Sequence, residues 1–199
     1  LSPHSPIIHA TMWEAIQQSN RSSDEKRAAI EADVARLLSA RGDAPAALKA
    51  AMDALEGMSS ESADRLRGEI LARFPDSAEA EWIHIEEIRR LDSARYEAKK
   101  QGRSEPEKTR ALGAALDTFL ARPRHFDPAL LGEAHVHRYF LVKDEPGTSP
   151  EQLLEAAQGL VRHERMNLHL FADAAMTLAE RTQYEAEAEA LVREGLRLL

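Results

Sequence analysis

The chain contains no cysteine, few aromatic residues and no long hydrophobic run. Because none of its 199 residues is Cys, disulfides, thiolate metal sites and a cysteine nucleophile are excluded within it. Aromatic residues make up only 5% of the sequence, so leucine and alanine must fill most of any core. No apolar run approaches the roughly 20 residues of a membrane-spanning helix. We therefore expect no membrane insertion.

Runs of β-branched residues are also missing, whereas Ala, Leu, Glu and Arg are abundant. This composition is typical of an all-α protein. The length is enough for one core or for a short array of repeats. A net charge of -8 argues against a general nucleic-acid binder, because such proteins neutralise phosphates with Lys and Arg. We expect no nucleic-acid partner.

One segment, residues 89–110, is locally basic. Its cations are Arg89, Arg90, Arg95, Lys99, Lys100, Arg103, Lys108 and Arg110. Acidic residues are interleaved with them: Glu86, Glu87, Asp92, Glu97, Glu105 and Glu107. Such alternation favours a solvated helix face over a nucleic-acid site.

Residues 28–59 contain two amphipathic segments separated by Gly42 and Asp43. The first has its apolar residues at i, i+4, i+7 and i+8: Ile30, Val34, Leu37 and Leu38. The second continues this rhythm through Ala44, Ala47, Leu48, Ala51, Met52 and Leu55. Both patterns predict amphipathic helices. Gly42 is predicted to end the first helix with a positive φ, and Asp43 to cap the second, with Pro45 in its first turn.

The small residues of this helix pair resemble those of a tetratricopeptide (TPR) unit. They are Ala35, Gly42, Ala47 and Ala54, and a second seven-residue small–small spacing recurs at Ala188 and Gly195. The departures from the family pattern are Glu31 for Trp, Leu38 for Tyr, Ala51 for an aromatic residue and Ser59 for Pro. The resemblance implies stacked antiparallel helical hairpins, a TPR-like α-solenoid.

Helix start signals recur along the rest of the chain and predict about nine or ten helices. They are Ser22-x-x-Glu25, Ser59 or Ser60, Asp76-x-x-Glu79, Ser104-x-x-Glu107, Asp127-Pro128, Ser149-x-x-Gln152 and Thr182-x-x-Glu185. The connections are short, so consecutive helices should pack antiparallel. The helix after Asp127 is apolar nearly all round and is expected to be central.

The expected organisation has three parts. Residues 1–22 form an N-terminal arm with a short helix from Thr11 to Ser19, residues 23–143 form a hairpin array, and residues 149–199 form C-terminal hairpins that continue it. The loop at residues 143–148 (KDEPGT) is the best candidate boundary between subarrays.

Several pairs of side chains have spacings found in metal or acid–base sites. Glu81-x-x-His84 matches the spacing in di-iron bundles, but the chain has no second copy. His135-x-His137 directs its two rings to different sides of a helix. Glu133 and His137, at i and i+4, could share a metal ion, but the HExxH pattern of two histidines four apart with a glutamate is missing. We therefore favour a structural role for these residues, with a hydrogen-bonded histidine in or near the core.

Two further clusters lie at helix–helix connections. His163, Glu164, Arg165 and His169 surround one turn, where acid–base work would need a third residue from elsewhere. Arg122, Arg124 and His125 surround Pro123. Near the unpaired N–H groups that begin the next helix, they could hold an anion. We predict no metal site, no cofactor and no catalytic motif, so an enzyme is not favoured.

The most plausible function is a non-catalytic scaffold that binds a protein or peptide on the groove formed by stacked hairpins. The alternative comes from residues 73–77 (RFPDS), which resemble junctions in bacterial envelope repeat proteins. The chain would then be the helical N-terminal accessory domain of a larger exported thioredoxin-like thiol-disulfide oxidoreductase, whose catalytic cysteines lie elsewhere. That resemblance favours a periplasmic or cell-envelope location over a cytoplasmic one.

Overall fold

The computed structural model describes residues 5–164, 167–181 and 183–197, and these are helical with no β-strand. The ten helices are α1 (Pro6–Gln18), α2 (Ser23–Arg41), α3 (Pro45–Glu56), α4 (Ser60–Arg73), α5 (Ala78–Lys100), α6 (Pro106–Leu120), α7 (Pro128–Asp144), α8 (Pro150–His163), α9 (Leu168–Arg181) and α10 (Glu185–Arg197). The predicted all-α fold and number of helices are confirmed. No described helix is both long enough and apolar enough to cross a membrane.

The chain divides into two compact units, unit 1 (Leu1–Ile83) and unit 2 (His84–Leu199), and the boundary falls inside α5. Within each unit, consecutive helices pack against one another, from α1 to α4 and from α6 to α10. This agrees with hairpin stacking. The loop that follows α7 lies inside unit 2, where α7 and α8 are in contact. The division into parts at residues 22, 143 and 149 stays a prediction.

Unit 1 has a core of leucine, isoleucine and alanine that α1 to α4 share. Ala47 and Ala51 of α3 are completely buried, and their small side chains let neighbouring helices approach closely. Trp13 of α1 is also buried and belongs to this core. α1 begins at Pro6, so the prediction of a helix starting at Thr11 is wrong. A proline at the first position favours this earlier start, because its missing N–H is not needed there.

In unit 2, α7 packs against α6 and α8. No residue from Leu130 to Lys143 is exposed, although several of them are only half-buried. Its fully buried residues include Ala134 and Tyr139. That this helix is the centre of its unit stays a prediction, with which the lack of exposed residues agrees.

Three of the predicted helix starts have the expected capping contacts. Ser22 and Glu25 form a reciprocal capping box at α2, and Ser149 and Gln152 form another at α8. Asp127 accepts a hydrogen bond from the Ala129 N–H at 2.9 Å and caps α7. Each of these contacts satisfies a backbone donor that the helix itself leaves unpaired.

The turn between α2 and α3 differs from its prediction. Gly42 has φ -66 rather than a positive φ, and its N–H continues the helical pattern to Leu38 O at 2.8 Å. A Cβ at this position would lie 2.5 Å from Leu38 O, so close approach of the backbone explains the glycine. The N-cap of α3 is Ala44, not Asp43, because Pro45 already occupies the first helical position, where no N–H needs a partner.

Two other predicted caps are shifted by one residue, and one lies outside the described residues. At α5 the Ser77 hydroxyl, not Asp76, accepts from the Ala80 N–H at 3.1 Å. At α6 the N-cap is Glu105 rather than Ser104, without a side-chain cap, because Pro106 takes the first helical position. Thr182 is not described. The loop predicted after α7 is present, and Gly147 within it has φ +87, which glycine adopts readily.

Candidate functional site

A row of charged side chains joins α5 to α7 in unit 2. The Glu133 carboxylate accepts two hydrogen bonds from Arg89, at 2.6 and 2.7 Å. This two-pronged geometry fits the planar guanidinium to the carboxylate. The Arg89 hydrogen bond holds the pKa of Glu133 below its ordinary value, against the effect of burial. Glu133 therefore forms a contact between the two helices, and both of its carboxylate oxygens are occupied by Arg89.

His137 occupies the next position in this row. Its Nδ1 donates to Asp92 Oδ2 at 2.9 Å, and its Nε2 lies 3.5 Å from Glu133 Oε1. Burial alone would raise the pKa of Asp92, but hydrogen bonds from His137 and Arg95 outweigh it and lower that pKa. His137 is thus a hydrogen-bonded, half-buried histidine, the role favoured from sequence.

A groove of about 610 Å³ opens beside this row on the surface of α5 and α7. It is lined by Asp92, Arg95, Tyr96, Lys99, Lys100, Phe140, Lys143 and Asp144. Among the described Phe, Trp and Tyr residues, Tyr96 is the most exposed, with 61% of its surface accessible. The lining therefore combines aromatic surface with an excess of cations.

One side of the groove is held in place by contacts between α7 and α9. Lys143 Nζ lies 2.6 Å from both carboxylate oxygens of Asp173, and 5.9 Å from the centre of the Phe140 ring. The Tyr139 hydroxyl donates to Asp173 at 2.7 Å from a completely buried position. Burial raises the pKa of Tyr139 well above its ordinary value. These contacts fix the position of Lys143 within the groove.

The three residues of the predicted anion site have separate contacts. The Arg124 guanidinium lies 4.5 Å from the centre of the Phe126 ring, and the His125 ring lies 5.0 Å from that of Phe119. Burial lowers the pKa of His84, and the positive charge of Arg122 lowers it further. The anion site stays a prediction.

The other histidines predicted as candidates are built into the packing. The rings of His135 and His163 are stacked, with centres 4.4 Å apart and an angle of 6° between planes. Burial, with the charge of His163 adding to it, lowers the pKa of His135 to about 4. Glu81 is only 1% exposed. Arg165 lies outside the described residues. In the described part of the chain, no group of three or more His, Asp or Glu side chains could hold a metal ion.

Sequence reasoning missed a buried polar cluster in unit 1. Asp33 Oδ2 accepts hydrogen bonds from His9 Nδ1 at 2.6 Å and from Trp13 Nε1 at 2.9 Å, while Asp33 Oδ1 accepts from Arg36 at 2.6 Å. One signal was present, because Asp33 stands within the apolar stripe beside Val34. A carboxylate on a buried helix face needs partners.

In comparisons with known proteins, no family model, no curated protein and no solved structure matches this chain.

Proposed function

We propose that the chain is a non-catalytic helical module that binds a protein or peptide partner on the α5–α7 groove of unit 2. The groove is the single observation that carries the proposal. It presents the largely exposed Tyr96 beside Phe140 and four cationic side chains. Aromatic residues and arginine are enriched at protein interfaces.

The engagement of the titratable residues supports binding rather than catalysis. Glu133, Asp92 and His137 hold α5 against α7, and Asp173 holds α9 against α7 through Lys143. A catalytic acid or base needs a free site within reach of a substrate. Two cationic residues of the groove, Lys99 and Lys100, by contrast face solvent. The side chain of Lys99 is 61% exposed.

The finer proposal of TPR-like packing rests on small residues at two close helix contacts. Ala47 is completely buried in α3. At Gly195 of α10, an added Cβ would lie 2.7 Å from Cδ2 of Phe171 on α9.

The further resemblance to extensions of thioredoxin-like oxidoreductases rests on the sequence alone. Sequencing the gene beyond residue 199 tests it, since a downstream Cys-x-x-Cys region would support that alternative.

The test is selection of peptides from a random display library on the full chain, followed by affinity measurement with the Tyr96→Ala variant. We expect selected peptides to bind the unmodified chain and to lose most of their affinity for the variant, because interface aromatics often dominate binding energy. Met176→Ala is the matched control, since Met176 is 62% exposed on α9 and does not line the groove. Peptides that bind all three proteins equally would contradict the proposal.

A further inference from the structure

We infer that the α5–α7 groove recognises an acidic peptide segment that carries one aromatic or large aliphatic side chain. This inference rests on the proposed function and names the class of its partner. Two properties of the groove carry it: the balance of charges along its lining and the exposed aromatic surface between them.

The lining has twice as many cations as carboxylates. Its cations are Arg95, Lys99, Lys100 and Lys143, and its carboxylates are Asp92 and Asp144. Asp144 accepts from Arg95 at 3.2 Å and lies 2.8 Å from Lys99 Nζ. Within the described chain, Lys100 has no ion-pair partner. Lys143 is paired with Asp173, which lies outside the lining. Lys100 can therefore accept added negative charge without first breaking an ion pair.

The surface between these charges is aromatic. Tyr96 protrudes from α5, and Phe140 on α7 is half-buried. An apolar side chain of a bound peptide could cover Tyr96 and rest on Phe140, burying surface that now faces water. Such burial contributes about 25 cal/mol per Å². Charge alone would not distinguish one acidic peptide from another. The apolar contact favours a peptide that carries one aromatic or large aliphatic side chain.

The charge of the whole chain does not cancel this attraction. The net charge is -8, but at physiological salt interactions are screened beyond about 8 Å. A short acidic peptide in the groove therefore experiences mainly the local cations. A long polyanion such as DNA would extend beyond them, over the acidic remainder of the surface. The groove thus favours a short acidic segment over nucleic acid.

The experiment measures fluorescence anisotropy of short labelled probes with the full chain. The first probe is an Asp- and Glu-rich peptide with one central Phe. The others replace that Phe with Ala, replace the acidic residues with Lys, or are a single-stranded DNA or an anionic lipid vesicle. We expect the first probe to bind most tightly, with about tenfold loss on Phe removal. Raising salt from about 50 mM to about 300 mM should also weaken binding.

Two charge reversals locate the site. Lys100→Glu should weaken binding of the acidic probe about fivefold, because it replaces an attraction with a repulsion. Arg65→Glu is the matched control, since Arg65 is an exposed arginine on α4 in unit 1, and it should change affinity by less than about twofold. Equal effects of the two variants, or tighter binding of the Lys, DNA or vesicle probes, would overturn the inference.

The failure of this inference can be told apart from failure of the proposed function. If library peptides without acidic residues bind in a Tyr96-dependent way and the acidic probe does not, the groove binds peptides of another class and only the inference is wrong. If no peptide binds in a Tyr96-dependent way, the proposed function fails with it.

Discussion

Nδ1 of His9 lies 2.6 Å from Oδ2 of Asp33, and both side chains are at least nine-tenths buried in unit 1. The same oxygen accepts from Trp13. Two residues of α1 are therefore tied to one carboxylate on α2. The polar contact specifies how α1 lies on its neighbour, since leaving either donor unpaired inside the unit would cost free energy.

We expect Asp33→Ala to lower the free energy of unfolding by about 2–4 kcal/mol, because His9 and Trp13 would lose their buried acceptor. Urea unfolding followed by Trp13 fluorescence, in a Trp82→Phe background, measures it. Asp64→Ala is the control, since the Asp64 side chain is 68% exposed. A stability loss no larger than that of the control would show that the buried carboxylate is not needed.

Glu133 and Asp92 should make unit 2 sensitive to acid. Their pKa values are lowered in the folded chain, so their stabilisation is complete above the ordinary carboxyl pKa and is lost as pH falls through the lowered values. We expect stability to fall from about pH 5 to about pH 3, and to fall less in the Glu133→Gln/Asp92→Asn double variant.

The measurement is urea unfolding followed by circular dichroism at a series of pH values. The control double variant is Glu61→Gln/Asp64→Asn, on the exposed face of α4. If both double variants reduce the acid sensitivity equally, the α5–α7 contacts are not its source.

His135 should add a second pH dependence at higher pH. Its folded pKa of about 4 lies below that of an unfolded histidine, so the unfolded chain binds more protons between these values. Stability should therefore decrease as pH falls from about 6.5 towards 4. The His135 resonances in an NMR titration should show a midpoint near 4, and His135→Leu should remove this part of the pH dependence. His169→Leu, at an exposed position, is the control. A His135 midpoint near 6.5 would refute the half-buried, stacked arrangement.

Gly195→Ala should destabilise the α9–α10 hairpin. The added methyl group would meet the buried ring of Phe171, with Cβ only 2.7 Å from Cδ2. Overpacking typically costs about 1–3 kcal/mol, while replacing glycine in a helix returns up to about 1 kcal/mol. Gly68→Ala is the matched control, because a Cβ added there would meet no atom within 4 Å other than the adjoining backbone of its own helix. Thermal unfolding should show a lower midpoint for Gly195→Ala and an equal or higher one for Gly68→Ala.

The helices could be predicted from sequence because each one carries its own pattern. A 3.6-residue apolar period together with a start signal such as Ser149-x-x-Gln152 is local information. Where two signals competed, as at Asp43 and Pro45, the sequence could not decide which residue caps the helix. The fixed φ of proline places Pro45 at the first helical position, and the residue before it, Ala44, is therefore the N-cap.

The candidate site could not be predicted, because its parts come from different helices. The basic segment was interpreted as a solvated helix face, and pairs such as Arg90 with Glu87 agree with that interpretation. The groove appears only when Phe140 and Lys143 of α7 are placed beside Tyr96 of α5. Likewise, Asp33 stands 20 residues after Trp13, and no pattern within a single helix connects them.

The lack of exposed residues along the middle of α7 has a consequence for the dynamics of unit 2. Because no residue from Leu130 to Lys143 is exposed, we expect the middle of this helix to stay closed while its neighbours are folded. Its backbone amides should exchange with deuterium only when the unit unfolds globally, more slowly than those of α10. In hydrogen-exchange measurements, the middle of α7 should be the last part of unit 2 to become labelled; earlier labelling there than in α10 would show that α7 is not the stable centre of the unit.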